Sequence, residues 1–163
     1  MLWEAEDEHF AWMLGGPAPE GGLRLPAGGV DAPQILAIIR RMAAAMRASC
    51  GAGCWMIVVD GEVVGLCSFK APPDQAGSIE IGYGVAPGCR QRGHATRAIA
   101  QLLALAAKNG AIRAAVAETA SENLASQRVL ERNGFTRDGE RFDHEDGEIV
   151  RWRRDISDFR LAE

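Results

Sequence analysis

The sequence predicts a single α/β domain over residues 1–163, a mixed sheet with helices packed on it. Three observations carry that prediction. Short β-rich runs alternate with stretches of helical period along the chain. Asp60-Gly61 stands between two such runs, the strongest short hairpin signal. A length of 163 residues, 47% hydrophobic and 25% charged, suits one soluble core that buries roughly 70% of its unfolded surface.

The elements follow in order. Met1 to Phe10 is acidic and interrupted by charges, unlike a signal or transit peptide. Gly15 to Val30, rich in Gly and Pro, reads as a surface connection with room for a short strand at Leu23 to Leu25. Asp31 is placed to cap a helix that has Pro33 in its first turn and runs to about Ala48. Ile35, Ile39, Met42 and Met46 form its core-facing stripe. Trp55 to Val59 and Val63 to Phe69 make the hairpin; the loop Ala71 to Gly77 leads to a third strand, Ser78 to Val85. After the loop Ala86 to Arg92, a long helix spans Gly93 to Asn109, with Ala95, Ala98, Ile99, Leu102 and Ala106 along one side. Asn109-Gly110 is its predicted stop. A strand at Ala114 to Glu118 comes next, then a helix from Asn123 to Asn133 that ends at Gly134. Strands near Phe135 to Glu140 and Glu148 to Arg154 complete the order, and no segment repeats at a fixed period.

A formal net charge of -4 gives no general attraction to nucleic acid or anionic lipid, so neither is an expected partner, although Arg90, Arg92 and Arg97 cluster locally. The longest apolar helical stretch, Ala98 to Ala107, is about half of the ~20 residues that span a bilayer. A cytoplasmic protein is expected. Cys50, Cys54, Cys67 and Cys89 read as reduced thiols. Cys50 and Cys54 resemble half of a metal site with no second pair to complete it, and His9, His94 and His144 are scattered, so no metal is expected.

The decisive segment runs from Val85 to Thr96, between a predicted strand and the long helix. Free N–H groups at a helix N-terminus, with the positive end of its dipole, make an anion site. Gly93 admits a phosphate close to the backbone, Ala95 keeps the first turn uncrowded, and Arg90 and Arg92 add positive charge. Taken alone, the same residues also describe a plain strand-to-helix turn. The P-loop pattern is absent, and Gly82-Tyr83-Gly84 is followed by Pro87 where the dinucleotide fingerprint needs its third glycine.

Arg90-x-x-Gly93-x-Ala95 resembles the Q/R-x-x-G-x-G/A loop of the GNAT superfamily of N-acetyltransferases. The run Asn123-Leu124-Ala125-Ser126-Gln127-Arg128-Val129-Leu130-Glu131, followed by Gly134-Phe135, is similar to the subgroup that acetylates the N-termini of ribosomal proteins. The motifs cover Ile79 to Phe135, a third of the chain. The resemblance implies a mostly antiparallel twisted sheet, splayed at its centre, with helices on both faces. It implies acetyl-CoA as cosubstrate, with the pyrophosphate on the loop Arg90, Gln91, Arg92, Gly93, His94, Ala95 and Thr96. The pantetheine arm would pair with strand backbone at Val85, and Asn123 would contact the pantetheine or thiol end. Independently, Gly82 and Gly84 inside a strand mark a bulge or a close backbone approach. Asn123 is equally a helix N-cap, and both roles can hold.

Acetyl transfer needs a neutral amine and a proton for the departing thiolate. A lysine amine of pKa about 10.4 is neutral in roughly one molecule in 2,500 at pH 7, a cost of about 4.6 kcal/mol, whereas an α-amine near 8 costs about 1.4 kcal/mol. Glu80, a carboxylate between Ile79 and Ile81 on the strand face of Gly82 and Gly84, is the candidate base, or else a structural ion-paired residue; Glu118 is the reserve. Many GNAT relatives use a tyrosine as acid where this chain has Leu130, and alternation points its one tyrosine, Tyr83, away from Glu80. Ser126, one turn after Asn123, is the candidate donor, as the resembled subgroup suggests, or a small packing residue. Cys67 and Cys89 lack a neighbouring His in sequence, which opposes a covalent acyl-enzyme.

The reading is an N-acyltransferase that passes acetyl from acetyl-CoA to a primary amine, a protein N-terminus or a small molecule, by direct attack in a ternary complex. The missing tyrosine leaves a non-catalytic acyl-CoA-binding regulatory domain as the alternative. An acetyltransferase acting on charged tRNA is a further rival, opposed by the net acidity. By resemblance the acceptor groove involves Asp31 to Cys54 and Arg141 to Arg154; Asp143, Glu145, Asp146 and Glu148 there suit either a cationic amine or a solvated turn. A homodimer through the final strand is a further expectation.

Overall fold

The computed structural model describes residues 1–156, so the last seven residues of the predicted 1–163 domain lie outside the described part. The central hairpin forms as its Asp-Gly turn dictates: β2 (Cys54–Val59) pairs antiparallel with β3 (Glu62–Phe69). On one side lies β1 (Leu2–Glu4), on the other β4 (Ser78–Val85). Then β4 pairs in parallel with β5 (Ala114–Ala120), and β6 (Thr136–Asp143) and β7 (Gly147–Asp155) close the sheet. The seven strands run β1-β2-β3-β4-β5-β7-β6. All neighbours but one are antiparallel, as expected for the fold.

That one parallel pair opens the sheet. β4 and β5 are paired only from Ser78 to Glu80 against Ala114 to Val116. Beyond it, β4 pairs as a strand only with β3 over Ile81 to Val85, and β5 only with β7 over Ala117 to Ala120. The register of β3 against β4 has no shift, so Gly82 and Gly84 mark no bulge. The close approach falls one strand over: a Cβ on Gly65 of β3 would collide with the Gly84 carbonyl oxygen and come within 3.0 Å of Val85 Cα.

Helices cover both faces. α1 (Asp7–Met13) and α2 (Pro33–Ser49) bury Phe10, Trp12, Leu36 and Ala43 against Cys54, Met56, Val58, Val63 and Leu66. α3 (His94–Lys108) and α4 (Leu124–Arg132) bury Ile99, Leu102, Leu103 and Leu130 against the other face, beside Ile79, Ile81 and Trp152. Burying one Leu or Ile contributes about 2 kcal/mol, so each layer is held mainly by these faces.

The structure corrects several local expectations. β1 and α1 were not anticipated; α1 starts with a reciprocal capping box between Glu6 and His9. Asp31 is not the N-cap of α2: Ala32 is, and Asp31 Oδ1 accepts the Ala32 N–H at 2.7 Å. The stripe of α2 is shifted: Met46 is buried as expected, but Leu36 and Ala43 are buried with it while Ile35 is 41% exposed. The strand at Leu23 to Leu25 reduces to one bridge, Arg24 to Glu62. Asn109 ends α3 without a left-handed glycine; its side chain accepts the Ala111 N–H at 3.0 Å. β7 lies between β5 and β6 and has no free edge for dimerisation; β6 is the outer strand.

Candidate active site

The splay becomes a cleft of about 670 Å³ between β4, the loop before α3, and α4. Its β4 wall is Tyr83, Gly84 and Val85. The ladder to β3 uses alternate residues of β4, with Lys70 N–H on Glu80 O at 2.9 Å and Ala86 N–H on Val64 O at 2.8 Å. Alternation therefore turns the backbone groups of Ile81, Tyr83 and Val85 toward the open side. Arg90 Nε donates to the Val85 carbonyl at 3.0 Å, which folds that side chain over the mouth.

The floor of the cleft is the start of α3. A single 3-10 turn, Pro87–Cys89, leads into it. Gln91 (φ 63°) and Gly93 (φ 74°) are left-handed on either side of Arg92, a pattern that gathers successive N–H groups toward an anion. No side chain caps the helix at Gly93, and the first turn's N–H groups have no intrahelical acceptor. Arg97 curls back to donate to the Arg92 carbonyl and to pair with His94 Nδ1, both at 3.0 Å. Burial and then the Arg97 and Arg92 charges hold the His94 imidazole below its ordinary 6.5, so it is neutral at pH 7.

The far end of the cleft is built by α4. Asn123 caps that helix, its Oδ1 accepting the Ser126 N–H at 3.1 Å. The C-terminal end closes as a Schellman motif, with Phe135 N–H on Leu130 O and Gly134 N–H on Glu131 O. Ser126 Oγ donates to Tyr83 Oη at 3.0 Å, and Tyr83 Oη donates to the Ser126 carbonyl at 3.0 Å. Burial pushes the Tyr83 phenol up to about 12, so it stays protonated.

Of the predicted site residues, Val85, Arg90, Gln91, Gly93, His94, Ala95, Thr96, Asn123 and Ser126 line this one cleft. Arg92 and Glu80 do not. Glu80 faces the other side of the sheet, where Lys70 Nζ meets its Oε1 at 2.5 Å. Glu118 is on that side too, gripped through both oxygens by Arg141 at 3.0 and 2.7 Å. The Arg141 guanidinium draws the Glu118 carboxyl below its ordinary range, which makes it a poorer base. Asp143 accepts from Arg141 Nη1 and from the N–H groups of Glu145 and Asp146, so it shapes the β6–β7 turn. Burial raises the Cys67 thiol strongly, which opposes a nucleophilic role.

Sequence reasoning missed Tyr83, Arg128 and Arg132 as lining residues. The signal was available: strand alternation had already put Tyr83 opposite Glu80, and Arg128 and Arg132 stand one turn apart on the helix that carries Ser126.

A family model described as an acetyltransferase (GNAT) domain matches residues 4–136. The chain belongs to the GNAT family. Within it, the uncharacterized N-acetyltransferase YjdG of Bacillus subtilis (strain 168) is 31% identical over 100 residues, 60% of this chain and 56% of that one. The chain thus matches little more than half the length of that relative. The GNAT fold also recurs in the ribosomal-protein alpha-N-acetyltransferase RimL in complex with coenzyme A, at a TM-score of 0.73, 21% identity, and 95% and 93% coverage of the two chains. A chimera of spermidine N-acetyltransferase SpeG from Vibrio cholerae and hSSAT gives 0.73 at 14% identity, with 98% and 96% covered. At these identities the likeness shows the shared fold.

Proposed function

We propose that this GNAT chain is one acetyl-CoA-dependent N-acetyltransferase domain that passes the acetyl group directly to a primary amine, a protein N-terminus or a small molecule. One observation carries the reading: an uncapped helix start, reached through left-handed Gln91 and Gly93, opens into a cleft edged by β4 backbone that has left β5. These residues fit the cosubstrate. The N–H groups of His94, Ala95 and Thr96 would hold its diphosphate, the open edge at Val85 its amide arm, and Asn123 and Ser126 its thiol end.

In the transfer, the amine nitrogen forms a bond to the acetyl carbon, the carbon–sulfur bond breaks, and the amine loses a proton while the thiolate needs one. Ser126, held by Tyr83, is the donor nearest the thiol end. The Tyr83 phenol, raised to about 12, keeps its proton on the Ser126 carbonyl and so would hold Ser126 in place rather than act as an acid. Glu80 is the preferred base over Glu118, since Lys70 engages only its Oε1 whereas Arg141 occupies both Glu118 oxygens.

Calorimetry with acetyl-CoA, followed by a CoA-release assay over N-terminal peptides, polyamines and lysine-like amines, tests the proposal. Binding with turnover on at least one amine is expected. No affinity for acetyl-CoA overturns it, and binding without turnover on any acceptor favours a regulatory acyl-CoA-binding domain.

A further inference from the structure

The diphosphate is only part of the charge on coenzyme A, whose ribose also carries a 3′-phosphate monoester. We infer that Arg128 and Arg132 of α4 read that 3′-phosphate and so make the protein select CoA over dephospho-CoA. The inference rests on the proposed function and concerns the nucleotide end of the same cleft.

Both ends of α4 are pinned, which fixes how the helix lies along the cleft. At its start, Ser126 is bonded to Tyr83. Just past its end, Asn133 Nδ2 donates to the Thr96 carbonyl in the first turn of α3 at 3.2 Å. The helix therefore runs from the thiol end of the cleft to the diphosphate end. Ser126, Val129 and Arg132, with Arg128 beside them, share the spacing of one helix face, and all of them line the cleft. Arg132, next to Asn133, stands beside the start of α3; Arg128 is about one turn, ~5.4 Å, nearer Ser126.

Their chemistry separates them from Arg90, the other arginine that lines the cleft. Arg90, Arg97 and Arg137 donate to Val85, Arg92 and Gln127. Among the described residues, the side chains of Arg128 and Arg132 have neither a hydrogen bond nor an ion pair, and no carboxylate lines the cleft, although the protein carries 22 acidic residues against 18 lysines and arginines. A diphosphate seated on the α3 amides has its donors already. A monoester with three oxygens and nearly two charges still needs cations, and two guanidinium groups one helical turn apart supply flat, paired donors for it.

The test is the Michaelis constant for acetyl-CoA and for acetyl-dephospho-CoA in the wild type, Arg128→Gln, Arg132→Gln and the double variant, with circular dichroism as the folding control. The wild type is expected to prefer acetyl-CoA by about tenfold or more. The double variant should lose most of that preference through a higher constant for acetyl-CoA, with that for acetyl-dephospho-CoA moving about twofold at most. Arg132→Lys should recover part of it. The preference should also shrink below about pH 6, where the monoester takes up a proton. Equal handling of the two cosubstrates by the wild type overturns the inference, as does a double variant weakened equally toward both. In either case activity persists, whereas failure of the proposed function would leave neither cosubstrate bound.

Discussion

On the α3–α4 side of the splay, the first amides of α3 and the side chains of Arg128 and Arg132 face a cleft with no carboxylate. On the opposite side, Glu80 and Glu118 are tied to Lys70 and Arg141 at 2.5 to 3.0 Å. One face offers donors without protein acceptors, and the other matches its charges internally. A donor left open beside a cleft gains most from a ligand, because an unmet polar group costs about 1–3 kcal/mol once water is excluded. Exposed paired charges contribute roughly 0–1 kcal/mol each and mainly fix where side chains point. The same two strands thus make a proposed binding face and an orienting face, and the second holds the candidate base for chemistry at the first.

Both faces depend on β4 staying pressed against β3 while it leaves β5, so the contrast breaks most fully at Gly65. An alanine there must push β3 away from the Gly84 carbonyl and Val85. Gly65→Ala is expected to lose about 3 kcal/mol of stability, as overpacking of a tight site does. Urea denaturation should show a lower midpoint with an unchanged slope. An unchanged midpoint would mean that the two strands separate without cost.

A narrower cut removes charge from the orienting face alone. Glu80→Gln keeps the shape and abolishes the base. Turnover on lysine-like amines should fall about 100-fold, and turnover on weakly basic amines much less, because those are already largely neutral. Steady-state kinetics over acceptors of graded pKa read the difference. An equal fall on all acceptors, or none, would return Glu80 to a purely structural pairing with Lys70.

That most of the predicted site residues meet in one cleft was legible in sequence because its parts are local. A strand, a glycine loop and a helix start lie within Ser78 to Thr96, and a capped helix follows within Asn123 to Gly134. Turn chemistry and caps act over a few residues, so local reasoning reaches them. The orienting face was not legible, since Lys70–Glu80 spans 10 residues and Arg141–Glu118 spans 23 across separate strands. The shifted stripe of α2 has a related cause: Ala43 is small enough to let the helix approach the sheet, and no periodicity count of large residues favours it over Met42. Tyr83 was a different failure. Alternation placed it correctly away from Glu80, but the cleft proposed for the cosubstrate is on that other side.

The smallest effect tests whether the orienting face works by charge. The Arg141 guanidinium, with the N–H groups of Glu145 and Asp146, holds the Asp143 carboxyl at about 2 against an ordinary 3.8, and it lowers Glu118 as well. A carboxyl whose folded value is depressed adds stability above its unfolded value, and that stability drains away as pH falls through the folded value. Wild type should therefore melt a little higher than Arg141→Gln at neutral pH. The gap should narrow from about pH 4.5 downward and close near pH 2. Added salt should shrink it at neutral pH, since these groups are near the surface. Thermal melts across that range measure it. A gap that stays constant with pH would show that Arg141 steadies the β6–β7 hairpin through its aliphatic stem, and the orienting face would then owe its geometry to packing.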